Sequence, residues 1–251
     1  MLTIDQLERA LTAAGLEAPV RADEVTGSTN DTAREMAEGG APEWTLVTTA
    51  HQTAGRGRLG RGWLDRPGSA LMFSFVLRPP LPPERAGLVP LLAGVAMARA
   101  ARESTGADVR CKWPNDLMLG DAKVGGILAE SVVGDGGLRF VVVGVGVNLG
   151  EPPADVERAG ALPTGEERLL RAFLDAASTL YRPRHLAFGD DVLTAYREIS
   201  ATIGREVEAT TVEGSRVIGT AVDVDDRGGL IVETAQGART VAFGEIAHLT
   251  R

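Results

Sequence analysis

The sequence predicts an α+β fold, a mixed sheet backed by helices and followed by a small β-barrel. Three observations predict it. Two β-rich runs, Gly125 to Val133 and Leu138 to Leu149, flank the turn Gly134-Asp135-Gly136-Gly137, the signature of a hairpin. Within the second run, Phe140 to Val147 is almost wholly apolar, as a strand covered on both faces requires. After Gly204 the pattern changes to closely spaced short β segments, which suit a small barrel. A chain of 251 residues can bury one sizeable core with a small appendage. A boundary is therefore placed near residue 200, dividing 1–200 from 201–251.

The elements follow in order. Thr3 with Gln6 forms a capping box that opens a helix ending near Gly15. A second helix runs from the Ser28-Thr29-Asn30 cluster to Gly39-Gly40, and Thr45 to Ala50 reads as a strand. An Arg/Gly loop, Ala54 to Gly62, precedes a strand at Ala70 to Leu77, which Pro79, Pro80, Pro82 and Pro83 terminate. The apolar segment reaching about Glu103 reads as a long buried helix, and short strands follow at Val109 to Trp113 and Leu117 to Leu119. Beyond the hairpin, a Pro/Gly/Glu-rich connection, Gly150 to Gly165, leads into a helical stretch from Glu166 to Ser200. The last β segments are Glu206 to Val212, Val217 to Asp223, Leu230 to Glu233 and Thr240 to Phe243.

Composition narrows the function classes. With 44% hydrophobic and 24% charged residues the chain is ordinary globular protein, and its formal charge of −8 disfavours nucleic acid except at a local site. The single cysteine, Cys111, excludes an internal disulfide and fits a cytoplasmic, reducing compartment. Asp5 and Glu8 interrupt any signal-peptide core, and the longest apolar stretch, broken by Pro90, is too short to cross a membrane. His51, His185 and His248 are scattered without metal-ligand spacing. Lys112 and Lys123 are the only lysines among 26 basic residues. An arginine excess of this kind fits genomic base composition, yet a compact ammonium does different chemistry from a guanidinium.

The segment Gln52-Thr53-Ala54-Gly55-Arg56-Gly57-Arg58-Leu59-Gly60-Arg61-Gly62-Trp63 concentrates cationic charge in an acidic protein, while its glycines admit close approach of backbone amides to an anion. A phosphate or carboxylate site accounts for it better than a solvated loop or an RNA-binding Arg-Gly segment, which is usually repetitive. Such an open loop is expected to lack apolar contacts and to be ordered by its ligand. Trp63 offers a face for an aromatic base. A second constellation, Lys112-Trp113-Pro114-Asn115-Asp116 with Lys123-Val124-Gly125-Gly126, presents polar side chains at strand ends. Taken singly, Lys112 reads as a surface charge and Asp116 as a turn cap. The Ser28-to-Asp31 spacing fits an N-cap box, and a helix start of this type is also a carboxylate or ureido surface. The polar end of Gly144-Val145-Gly146-Val147-Asn148 reads equally as a strand-end turn or a ligand contact. P-loop, dinucleotide and serine-elbow motifs do not occur.

In this order the motifs resemble bacterial biotin protein ligase, strongly over residues 25–150 and in outline to the terminal β module. The resemblance implies a catalytic fold like that of class II aminoacyl-tRNA synthetases, followed by an SH3-like barrel. It further implies ATP-dependent activation of biotin to biotinyl-5′-AMP, then transfer to a lysine of a biotin carboxyl carrier domain. ATP with Mg²⁺ and biotin would be substrates, with no tightly bound prosthetic group. With 27 residues before Ser28, the chain resembles the monofunctional type that has no DNA-binding domain, so neither DNA nor membrane is an expected partner, and a homodimer is a candidate assembly.

By the same resemblance Ser28, Thr29, Asn30, Gln52, Gly55, Arg56, Gly57, Arg58, Lys123, Gly125 and Gly126 lie on the biotin side. Arg58, Arg61, Trp63, Lys112, Asn115 and Asn148 lie on the nucleotide side. Asp116 falls near the metal, and Lys123 and Arg58 carry catalysis. Leu59 stands where relatives often carry a basic residue, which lowers the loop's charge. Rival readings are a lipoate or octanoate ligase of the same broad fold, a non-catalytic biotin-binding regulator, and an RNA-binding module.

Overall fold

The structure, a computed structural model, describes residues 1–152, 158–211, 214–242 and 244–249. Helix α1 (Ile4–Ala13) starts at the expected box: the Thr3 N–H donates to Gln6 Oε1 at 2.9 Å and the Gln6 N–H donates to Thr3 Oγ1 at 3.3 Å. Strand β1 (Val20–Thr26) follows, then α2 (Thr29–Glu38), β2 (Leu46–Gln52), β3 (Ala70–Leu77) and α3 (Leu88–Thr105). Four strands complete the first sheet: β4 (Val109–Lys112), β5 (Asp116–Leu119), β6 (Ala122–Gly134) and β7 (Gly137–Asn148).

The sheet order is β1-β2-β3-β7-β6-β5-β4, with β1 parallel to β2 and every other pair antiparallel. This is the expected mixed sheet. Strand β1 escapes sequence reading because Val-Arg-Ala-Asp-Glu-Val-Thr does not alternate, and it lies at a sheet edge with no fully buried position. Apolar residues of α2, Ala33 and Ala37, cover one sheet face against Val47, Val76, Phe140 and Val142. On the other face α3 is buried almost throughout, packed between the sheet and two further helices. Its lack of a polar stripe follows from that enclosure.

The helical stretch expected from Glu166 to Ser200 is two helices, α4 (Glu166–Leu180) and α5 (Phe188–Ile199). Pro183 lies in the break, where its missing N–H cannot continue the ladder.

The second sheet comprises β8 (Glu206–Thr211), β9 (Arg216–Val224), β10 (Leu230–Thr234), β11 (Gly237–Val241) and β12 (Gly244–His248), ordered β11-β10-β9-β8-β12. This is the small β unit that the sequence led us to expect, and among the described residues its edge strands β11 and β12 do not pair with each other. Val212 and Phe243, expected strand ends, lie outside the described residues. Strand β12 itself was unforeseen.

One apolar core runs from the first sheet into the second, taking in Val207, Ala209, Ala221 and Leu230. Polar contacts reinforce the junction. Trp113 donates its indole N–H to the Gly228 carbonyl at 3.0 Å and its backbone N–H to Thr202 Oγ1 at 3.0 Å. Among the described residues no helix is long and apolar enough to cross a membrane.

Candidate active site

The site begins at the amino end of α2. Ser28 occupies the cap position in extended backbone (φ −154°, ψ 135°), yet its hydroxyl makes no capping bond, correcting the expected N-cap role. Instead Gln52 Oε1 accepts the Thr29 N–H at 2.9 Å and lies 3.2 Å from the Thr29 hydroxyl. A free helix amide is thus answered by a side chain from β2, and Ser28 lines the cavity. Asn30 spends its amide inside the protein: Nδ2 donates to Glu130 Oε2 at 2.7 Å and Leu128 O at 3.3 Å, while Oδ1 accepts from Ser74 at 2.7 Å.

The Arg/Gly loop is a hairpin held by backbone hydrogen bonds, and its one apolar side chain at the tip, Leu59, is exposed. The Gly57 N–H donates to Arg61 O at 2.7 Å and the Trp63 N–H to Gly55 O at 2.9 Å, with a single 3₁₀ turn over Arg58–Gly60 at its tip. Leu59 sits in the left-handed region at φ 53°, a conformation that favours glycine and costs a leucine about 1 kcal/mol. The three arginines have different partners. Arg56 is clasped by Asp31 (2.5 Å) and Glu130 (3.1 Å), which raises its own pKa and holds the Asp31 carboxyl below the usual range. Arg58 donates to the Gly244 carbonyl at 3.1 Å; burial lowers its pKa, partly offset by the charges of Glu245 and Asp116. Arg61 pairs with Glu245 at 2.5 Å.

Trp63 lies on the backbone of β7. A Cβ at Gly146 would fall 2.7 Å from two of its ring carbons, so only glycine admits the ring there. The indole N–H is buried with no partner among the described residues. Across the cavity, the β4–β5 turn contains a cis Trp113–Pro114 bond. Asn115 is held to β6 by two bonds, Nδ2 to Ile127 O at 2.8 Å and Ile127 N–H to Asn115 O at 3.0 Å. Asp116 accepts the Lys123 ammonium at 2.5 Å, whereas Lys112 has no acidic partner among the described residues.

These groups surround one cavity of about 290 Å³. Of the residues singled out from sequence, it gathers all but Gly55, Gly125 and Asn148. Gly55 and Gly125 serve packing: a Cβ would meet Trp63 O at 2.9 Å and Gly146 O at 2.6 Å respectively. Asn148, expected on the nucleotide side, donates Nδ2 to Gly160 O at 2.9 Å, which fastens the connection after β7. Glu245 and Ile246 of β12 also line the cavity, and sequence reasoning missed both because only the docking of the second sheet brings them there.

Among the described residues no group of three His, Cys, Asp or Glu side chains could hold a metal. Asp116 is a lone carboxylate, paired with Lys123. Chemically, the cavity joins a polar floor (Ser28, Thr29, Gln52) to a wall of cations (Arg58, Arg61, Lys112, Lys123), an arrangement able to hold two anions against each other.

Comparison with known proteins gives a consistent match. Residues 23–148 match a family described as the Biotin/lipoate A/B protein ligase family, and residues 202–249 match the Biotin protein ligase C terminal domain. The chain is 31% identical over 234 residues to the bifunctional ligase/repressor BirA of Bacillus subtilis, covering 89% of this chain and 72% of that protein. It is 32% identical over 236 residues to the biotin–[acetyl-CoA-carboxylase] ligase of Paracoccus denitrificans, covering 88% of this chain and 97% of that one. Among solved structures it resembles the biotin protein ligase from Aquifex aeolicus in complex with biotin and ATP, with TM-score 0.76, 27% identity, and coverage of 91% and 97% of the two chains.

Proposed function

The chain belongs to the biotin/lipoate A/B protein ligase family, and from that premise we propose that it is an ATP-dependent biotin–protein ligase acting on a carboxylase carrier domain. The observation that carries this reading is the convergence of the Thr29–Gln52 floor with Arg58 and Lys123 on one cavity. The floor supplies hydroxyl and amide groups suited to a ureido ring. The cations stand where a carboxylate and a triphosphate would meet.

In the first step a biotin carboxylate oxygen bonds to the α-phosphorus of ATP, and the bond from that phosphorus to the bridging oxygen breaks, releasing pyrophosphate. The two anions repel, and Arg58, Lys112 and Lys123 lower that cost within a cavity that the loop lines. Mg²⁺ enters this reading with the triphosphate as substrate, Asp116 being the candidate protein carboxylate. When bound, it would supply neutralisation of the triphosphate's charge. In the second step a neutral lysine amine of the carrier bonds to the acyl carbon, the acyl–oxygen bond to AMP breaks, and the amine gives its proton to solvent. Lys123 steadies negative charge on the departing oxygen, and the loop limits attack by water. Arg58 and Lys123 are the proposed catalytic residues; Ser28, Thr29 and Gln52 hold biotin; Arg61, Trp63 and Asn115 face nucleotide.

The same reading places a catalytic unit over 1–200 and a C-terminal unit over 201–251, a cytoplasmic location, a second copy of the chain as candidate partner, and no DNA partner for a protein of charge −8. The decisive experiment is incubation with ATP, Mg²⁺, biotin and a carrier domain, followed by intact mass. One biotinyl group on the carrier, lost when ATP is omitted, is the expected result. An unmodified carrier, or lipoyl transfer in preference to biotinyl, overturns the reading.

A further inference from the structure

Behind the cavity lies a hydrogen-bonded chain that ligand contact alone does not explain. Gln52 accepts from the Thr29 N–H, the fully buried Ser74 hydroxyl donates to Asn30 Oδ1 at 2.7 Å and accepts from the Thr29 hydroxyl at 2.7 Å, and Asn30 donates to Glu130. Glu130 in turn holds Arg56 and, at 3.6 Å, Arg34. This one carboxylate therefore receives Asn30, which through Ser74 and Thr29 is linked to the floor, and Arg56 of the loop together. It does not line the cavity itself. A carboxylate that close to a site for anions is electrostatically unfavourable unless it serves the cations beside it.

We propose that Glu130 is a positioning residue that fastens the root of the Arg/Gly loop to the biotin side of the floor. The geometry divides the loop in two. Its root, through Arg56, is locked by two carboxylates, Asp31 and Glu130. Its tip is held by partners that can be exchanged: Arg58 on a backbone carbonyl and Arg61, itself 70% exposed, on Glu245. Arrival of an anion then repartners Arg58 and Arg61 without unfastening the floor. Arg56 is on this account an anchor whose charge is already neutralised, and the positive charge offered to nucleotide comes from Arg58 and Arg61.

This inference rests on the proposed ligase activity, and the test separates the two. Glu130→Ala and the shape-preserving Glu130→Gln are compared with the wild-type chain by amide hydrogen exchange without substrates and by steady-state pyrophosphate release. Expected are at least fivefold faster exchange over residues 55–62 in Glu130→Ala, an intermediate rise in Glu130→Gln, and unchanged exchange over α3. The biotin KM should rise about tenfold, the size set by losing one charge-assisted bond, with the ATP KM within twofold and kcat within threefold. Loop exchange within twofold of wild type, or equal rises in both KM values, overturns the inference. If Glu130→Ala does not fold, Glu130→Gln decides by the same criteria. Absence of pyrophosphate release from the wild type refutes the ligase reading, and the exchange measurement still decides whether Glu130 anchors the loop.

Discussion

Arg61 Nη2 stands 2.5 Å from a carboxylate oxygen of Glu245, joining the tip of the cavity loop to the last strand of the second sheet across 184 residues of sequence. The second sheet is thereby part of the site's wall, and four predictions follow from this and neighbouring contacts.

The Arg61–Glu245 pair is open to solvent on its arginine side, so it contributes only about 0.2–1 kcal/mol by itself. Glu245→Gln should lower kcat/KM for ATP less than about fivefold by that magnitude. Glu245→Lys sets like charges against each other and should lower it by about tenfold or more. Pyrophosphate release measures both, and equal effects of the two substitutions would contradict the pairing.

The Lys123 side chain is 39% exposed and its ammonium pairs with Asp116, so its removal should trouble chemistry much more than folding. Lys123→Ala is expected to slow adenylate formation by about 10²–10³-fold, typical of a lost electrostatic donor. Its melting temperature should move by no more than a few degrees. Quenched-flow assay and calorimetry together check this; retention of a tenth of wild-type rate would refute the assignment.

Two glycines on β7 should separate the two substrates. A Cβ at Gly146 collides with the Trp63 ring, whereas one at Gly144 overlaps the Asn30 amide. Gly146→Ala is expected to raise the ATP KM by about tenfold and shift tryptophan emission, while Gly144→Ala raises chiefly the biotin KM. Matched effects of both substitutions on both substrates would rule out this division of the cavity.

Acid sensitivity should trace in part to His248. Burial, then the nearby charges of Lys112 and Arg205, push its imidazole down to about 4, with Asp121 opposing. The unfolded chain, with an ordinary histidine value of 6.5, binds a proton through the interval between these values that the folded protein refuses. Stability is then full above that interval and declines as pH falls through it. His248→Asn should flatten the change in melting temperature between about pH 6.5 and 5. An unchanged pH slope would show that His248 is not responsible.

Local pattern was enough wherever one segment decides its own conformation. The Thr3–Gln6 box, the strand Ala70–Leu77 and the hairpin of β6 and β7 stand where periodicity and turn residues put them. Strand β1 and the break at Pro183 were less legible, the first because a half-exposed edge strand carries no alternation, the second because helical periodicity on both sides masked a short interruption. The candidate site was readable as a set of motifs, since glycines and arginines at close spacing have few other uses.

By itself the sequence determined the fold class, the family resemblance and the segments that build the cavity, because these depend on residue type and short-range spacing. Tertiary structure decided the roles within those segments. Asn30 and Arg56, singled out as ligand contacts, line the cavity and are also held by Glu130. Asn148 fastens a loop, and Glu245 enters from a sheet that local pattern cannot place. The physical reason is that hydrogen bonds and charges are satisfied by whatever lies within about 3 Å in space, and chain packing, which sequence spacing does not report, selects those neighbours.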